Sequence, residues 1–167
     1  MISRNGASDM VAHPLDPVFD GHCHTLILGS FPSVRSREVG FYYGHPQNRF
    51  FKVLASLFHK ELPITVQEKR ELLLSAGIAL WDVIASCEIT GSADSSIKNV
   101  RVNDIAWLMR QAPIERIFIN GKTAARYYET YLKDALGIEA TVLPSTSPAN
   151  AVYSLEKLTD AWRVILR

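Results

Sequence analysis

With 167 residues, 47% of them hydrophobic and 21% charged, the chain can bury the core of one domain and is too apolar for global disorder. Lys plus Arg number 18 against 17 Asp plus Glu, which excludes the strongly basic class of nucleic-acid binder but not a local basic groove. Two cysteines, Cys23 and Cys87, exclude a cluster held by four protein thiolates and a disulfide-dense scaffold. No apolar run approaches the ~20 residues that span a bilayer, and residues 1–20 lack the unbroken apolar stretch of a secretory signal. The expectation is a cytoplasmic monomer with no membrane association: one domain, residues 21–167, behind an N-terminal arm, residues 1–20.

The arm is polar and broken by Pro14 and Pro17, and reads as loosely held or as the lead-in to a first strand. Thr25-Leu26-Ile27-Leu28, stopped by Gly29, suits a buried strand. A loop broken by Pro32, Gly40, Gly44 and Pro46 follows from Ser30 to about Gln47, a length usually tied to function. Phe50, Phe51, Val53, Leu54, Leu57 and Phe58 recur at helical spacing, predicting a helix from Asn48 to about His59. Thr65 and Glu68 form a capping box for a second helix to Ala76, closed by Gly77.

Ile78-Ala79-Leu80-Trp81 is a second strand, followed by a polar loop over 85–102 and a helix from an Asn103 cap to about Gln111. Arg116-Ile117-Phe118-Ile119 is a third strand that runs into Asn120-Gly121, with a helix starting at Lys122. Ala140-Thr141-Val142-Leu143 is a fourth, stopped by Pro144, and a loop to Ala151 leads to a helix with Leu155, Leu158, Ala161, Trp162 and Ile165 on one stripe. This alternation predicts an α/β fold, a three-layer α/β/α sandwich around a central four-stranded parallel sheet. Ligands sit at the carboxyl ends of such strands, so the loops after Leu28, Trp81 and Leu143 converge.

These loops hold the candidate chemistry. Gly29 allows close backbone approach to a ligand, and Tyr42 and Tyr43 offer flat faces for base stacking or simply anchor the loop. Arg35, Arg37, Arg49 and Lys52 are cations near the same strand end, suited to phosphates; Phe50 and Phe51 read as core. Asn48 stands where a helix begins, the place of an N-cap. His45, extended by the following Pro46, either bonds a phosphate or braces the loop. Asp82 reads a donor edge on a ligand, caps, or pairs with a cation. Ser145-Thr146-Ser147-Pro148-Ala149-Asn150 is a rigid run of donors suited to phosphate oxygens, or a plain connection capped by Asn150 or Ser154.

His22-Cys23-His24 with His13 invites a metal reading, but alternating strand positions point to opposite faces, so no metal site and no cofactor are expected. A serine hydrolase would use Ser30 or Ser33 with His45, yet the G-x-S-x-G elbow is absent, as are the Walker and dinucleotide glycine motifs.

His45-Pro46-Gln47-Asn48-Arg49-Phe50-Phe51-Lys52-Val53 resembles the H-P-x-N-R-F-W-K-V segment of mismatch-specific uracil glycosylases, and Ser154-Leu155-Glu156-Lys157-Leu158 resembles their final helix. From about Thr25 to Arg167 the chain is similar to the uracil-DNA glycosylase superfamily. The mismatch-specific enzymes carry G-I-N-P-G, whose asparagine positions the attacking water; here Gly29-Ser30-Phe31-Pro32-Ser33 puts Phe31 at that position. This form, with Tyr42-Tyr43 ahead of His45-Pro46 and a Ser147-Pro148-Ala149-Asn150 loop, looks instead like the hypoxanthine-DNA glycosylase branch.

That resemblance implies a catalytic Asn48 holding a water, Tyr43 stacked on an extruded base, and Ser147 to Asn150 pressed on the minor groove and phosphates. The expected partner is double- or single-stranded DNA carrying a deaminated base: hypoxanthine, uracil or xanthine. The base-binding set is Tyr43, Phe31, Ser30, Trp81 and Asp82, with the Phe31 amide as a donor to the departing base and Asp82 accepting from its ring N–H. The DNA-binding set is Gly29, Ser33, His45, Arg49, Ser147, Pro148, Ala149 and Asn150. With no lysine assigned as nucleophile, the enzyme is expected to be monofunctional. The competing readings are a non-catalytic lesion binder on the same scaffold and, further off, a serine hydrolase using Ser30.

Overall fold

The computed structural model describes residues 9–166. Four short apolar runs form a parallel sheet: β2 (Thr25–Gly29), β3 (Ile78–Asp82), β6 (Arg116–Asn120) and β7 (Ala140–Leu143), in the spatial order β3-β2-β6-β7. Every residue of β2 and β3 is buried, which requires both faces of the sheet to be covered. Helices α2 (Phe50–Leu57), α3 (Val66–Ser75), α4 (Ile105–Gln111), α5 (Lys122–Tyr131) and α7 (Leu155–Trp162) flank it, with a short α6 (Lys133–Leu136) after α5. The α/β sandwich with its central four-stranded parallel sheet is therefore present, and α2 packs on α7 through Phe50 against Trp162, ring centroids 5.8 Å apart.

Three expectations are corrected. The region read as a polar loop over 85–102 holds two strands, β4 (Ile84–Ile89) and β5 (Lys98–Val102), joined through a 3-10 turn at Asp94–Ser96. With β1 (Asp9–Ala12) they make an antiparallel sheet in the order β1-β4-β5. These strands bury one side only, Ile84, Cys87 and Ile89, while charged residues such as Glu88, Lys98 and Arg101 give the stretch a loop-like composition. The loop from Ser30 also contains a helix, α1 (Val34–Val39), capped by Ser33 Oγ accepting from Ser36 N–H at 3.1 Å. Its buried residue is Ser36, and Val34 and Val39 stay exposed, so it shows no apolar stripe.

The cap of α4 is Asp104, accepting from Trp107 N–H at 3.0 Å, rather than Asn103. Asn103 instead donates from Nδ2 to the carbonyls of Asp82 (2.9 Å) and Ile84 (3.3 Å), holding the chain where it passes from β3 to β4. The expected arm is tied down over its described part: β1 pairs with β4, and Val18 exchanges two backbone hydrogen bonds with Leu80, at 2.9 and 2.8 Å. Residues 1–8 of that arm lie outside the described residues.

The central sheet carries the packing. Ile27 is fully buried in β2 between two parallel neighbours. Ile27→Ala is expected to lower unfolding free energy by about 2–5 kcal/mol, read as a shift of the urea midpoint without a change of slope.

Candidate active site

All four parallel strands end at one cavity of about 1090 Å³, whose floor includes Gly29, Asp82, Asn120 and Leu143, the last residues of β2, β3, β6 and β7. The three loops expected to converge do so, and a fourth joins them. It is the Asn120 to Thr123 turn into α5, which the same strand-end rule would have found.

Asn48 lines this cavity. Its Oδ1 accepts from Phe50 N–H at 2.9 Å, capping the first turn of α2, and from Thr146 Oγ1–H at 3.0 Å. Thr146 Oγ1 in turn accepts from Asn120 Nδ2 at 3.0 Å, and Thr146 N–H donates to Asn120 Oδ1 at 3.0 Å. Backbone N–H groups only donate, so Phe50 and Thr146 fix both carboxamides in one orientation. Both lone pairs of Asn48 Oδ1 are occupied, and its Nδ2 has no partner among the described residues. What Asn48 offers the cavity is a donor. Asn120, buried and central to this arrangement, is absent from the sequence-derived candidates, and Thr146 enters them only as one of a run of phosphate donors; an isolated polar residue at a strand end carries no signal until the strands are assembled.

The Tyr43 backbone sits at φ +52°, a conformation rare outside glycine and frequent at functional sites. Its ring stacks on Phe50 at 4.1 Å between centroids, and its buried hydroxyl lies near the Asn120 amide without a well-formed hydrogen bond among the described residues. Burial, and secondarily the Asp82 carboxylate, push the phenol far above its usual range, so it stays neutral. Gly29 is required here. A Cβ at that position would meet Asp82 Oδ1 at 2.4 Å and the Tyr43 hydroxyl at 2.9 Å.

Asp82 is more than nine-tenths buried with one oxygen, Oδ2, held by His13 Nε2 at 2.8 Å and the other, Oδ1, beside Gly29 with no partner among the described residues. His13, drawn into a metal reading by sequence, is thus the carboxylate's partner. Trp81 is corrected: adjacent strand residues face opposite sides. Asp82 therefore takes the cavity while Trp81 packs edge-on against Trp107, ring centroids 6.2 Å apart, and does not line the site.

Ser30, Phe31 and Ser33 line the cavity, the Arg37 guanidinium lying 5.6 Å from the Phe31 ring centroid. His45 accepts from Gln47 N–H at 3.1 Å, bracing the loop at the cavity rim. Ser30 and His45 share no hydrogen bond among the described residues, so no nucleophile–base pair is formed.

Ser147, Pro148, Ala149 and Asn150 form the opposite wall. This loop is braced by its own side chains: Ser145 Oγ accepts from Ser147 N–H (3.1 Å), Ser147 Oγ from Ala149 N–H (3.1 Å), and Asn150 Nδ2 donates to Ser145 O (3.0 Å). Arg49 turns inward, unlike the phosphate-facing cation expected. Its guanidinium donates to the carbonyls of Ser147 (2.9 Å), Asn150 (3.0 Å) and Tyr153, while its backbone N–H donates to Thr146 O at 3.0 Å. The arginine fork matches this set of acceptors and an ammonium does not.

A parallel α/β sheet whose four strand ends floor one cavity, furnished with fixed amides and a buried carboxylate, places hydrogen-bonding groups where such sheets hold ligands. Residues 17–166 match the model of the uracil DNA glycosylase superfamily. The chain is 36% identical over 148 residues to the hypoxanthine DNA glycosylase of Methanosarcina barkeri, covering 87% of this chain and 92% of that relative. It is 34% identical over 160 residues to the hypoxanthine DNA glycosylase of Methanosarcina acetivorans, covering 95% of this chain and 99% of that relative. A solution NMR structure of a candidate uracil DNA glycosylase from Methanosarcina acetivorans superposes with a TM-score of 0.78 at 30% identity, over 95% of this chain and 100% of that one. The chain belongs to the uracil DNA glycosylase superfamily and is a DNA glycosylase.

The Arg49 fork generates a direct test. Arg49→Lys is expected to cost about 1–3 kcal/mol and to speed amide hydrogen exchange selectively across residues 144–153, leaving β2 and β3 protected.

Proposed function

We propose that this enzyme excises deaminated bases from DNA, hypoxanthine foremost, by rotating the nucleotide into the strand-end cavity and hydrolysing its N-glycosidic bond with water. The observation that carries the reading is the Asn48 carboxamide, fixed at the cavity with its oxygen satisfied and its Nδ2 free. The names of the Methanosarcina relatives support hypoxanthine as the leading substrate.

Extrusion costs a few kcal/mol, least for a weakly paired base. The exposed Val152, at 80% of its full surface beside the braced loop, is placed to act as an apolar wedge that fills the vacated stack. In the cavity the base stacks on the face of Tyr43 turned away from Phe50. Deamination of adenine or cytosine converts a ring nitrogen from acceptor to N–H donor, and Asp82 Oδ1 is the acceptor that reads this change.

As the glycosidic bond stretches, the sugar becomes oxocarbenium-like, stabilised by the DNA phosphates, and charge collects on the leaving base. The Phe31 N–H, which donates to no group among the described residues, is suited to receive that charge. Asn48 Nδ2 donates to one lone pair of a water and leaves the other for the anomeric carbon, positioning the nucleophile without deprotonating it. Lys122 lines the cavity but is exposed, suited to a phosphate and not to a desolvated amine nucleophile. The proton lost as water bonds the anomeric carbon passes to the departing base anion, leaving an intact abasic strand. Monomeric action in the cytoplasm suits the two buried, unpaired cysteines.

Asn48→Ala is expected to slow single-turnover release of hypoxanthine roughly 100- to 1,000-fold while duplex affinity holds within about threefold; borohydride should trap no covalent adduct with the wild type. Unchanged excision would remove Asn48 from the chemistry. Tight binding to deoxyinosine DNA without abasic product in the wild type would identify a lesion binder instead.

A further inference from the structure

The residues ahead of the family-matched stretch, which begins at 17, deliver one side chain to the back of the cavity. His13 is 3% exposed at its side chain and follows directly on β1, where its backbone N–H donates to Ala85 O at 2.7 Å. Leu15 N–H donates to His13 Nδ1 at 3.2 Å, which makes Nδ1 the acceptor and leaves the proton on Nε2. Nε2–H therefore donates to Asp82 Oδ2 at 2.8 Å. Phe31 and Tyr42 pack against the imidazole, with ring centroids at 5.9 and 6.0 Å. Both nitrogens are engaged and the ring has no room to turn. His13 does not itself line the cavity; Asp82 does.

The consequence falls on the carboxylate. With Oδ2 held from behind, Oδ1 is left as an acceptor without a partner among the described residues, in a side chain only 5% exposed and beside Gly29. Hypoxanthine presents a ring N–H to such an acceptor, whereas adenine and unsubstituted purine present a lone pair that a fixed carboxylate repels. A site built to bond a ring N–H rejects the analogue lacking it far more strongly than one that distinguishes by shape. If the carboxylate could rotate, that rejection would weaken, since neither oxygen would be committed.

We propose that His13 is a positioning residue for base selection, locking Asp82 so that excision depends on a ring N–H at the base edge. This rests on the hypoxanthine-excising activity inferred above. His13→Leu fills the space without a donor, whereas His13→Gln carries an amide N–H to about the position of Nε2. Single-turnover excision is measured for each on duplexes containing hypoxanthine or unsubstituted purine, with duplex affinity and a thermal melt recorded alongside.

His13→Leu should slow hypoxanthine release roughly 10- to 100-fold, the loss of one hydrogen bond to a charged group, at unchanged affinity. Purine release should fall no further than about twofold, so the preference between the two bases collapses, and His13→Gln should recover most of the hypoxanthine rate. Equal loss on both bases, or a glutamine variant no better than leucine, overturns the proposal; the glutamine comparison decides even where purine release is immeasurably slow. If His13→Leu does not fold, His13→Asn, whose amide reaches only the Nδ1 position, replaces it. A wild type that releases no hypoxanthine refutes the proposed function and this inference with it, a result distinct from variants that merely fail to discriminate.

Discussion

The hydrogen-bonded run from Asn120 through Thr146 to Asn48 is the constraint on which the site depends. It joins the end of β6, the loop after β7 and the entry to α2, segments 26 and 98 residues apart in the chain. Each link has a defined direction because a backbone N–H anchors either end, at Thr146 and at Phe50. The low dielectric around buried Asn120 and Thr146 strengthens these bonds and makes any break in them costly. The Asn48 amide is thus oriented by the fold itself.

Around that line the cavity divides its work by depth. At the floor lie groups without water access or with only one free atom: the Tyr43 phenol, Asp82 and the Asn120 amide. At the rim lie groups that brace themselves and their neighbours, as His45, Ser147 and Asn150 do. Recognition of a base needs the rigid, dry floor, where an unmatched polar group is expensive. Hydroxyls and amides at the rim can bond phosphates without a strongly basic surface, so the near-neutral charge of the chain is compatible with DNA as substrate.

The central sheet was legible because three of its strands contain an unbroken apolar run, as Leu26-Ile27-Leu28, Ile78-Ala79-Leu80 and Ile117-Phe118-Ile119 do, and the fourth, β7, is stopped by Pro144. The second sheet was not, since a strand buried on one side spends half its residues on solvent and β5 exposes Lys98, Asn99 and Arg101. Helix α1 escaped notice because it packs through a serine. Asn48 and Asp82, singled out by motif and by strand-end logic, both line the cavity. Trp81 was misplaced by ignoring the two-residue alternation that separates it from Asp82, and Arg49 by assuming that a cation near a cavity faces outward. His13 was unreadable as a partner of Asp82: 69 residues separate them, and only the pairing of β1 with β4 brings them together.

The crowding at Gly29 couples three positions sterically. Any side chain there collides with Asp82 and with the Tyr43 hydroxyl, so substitutions at 29, 43 and 82 are coupled and their effects should not add. A Cβ at residue 29 is accommodated only if the side chains at 82 and 43 give way with it.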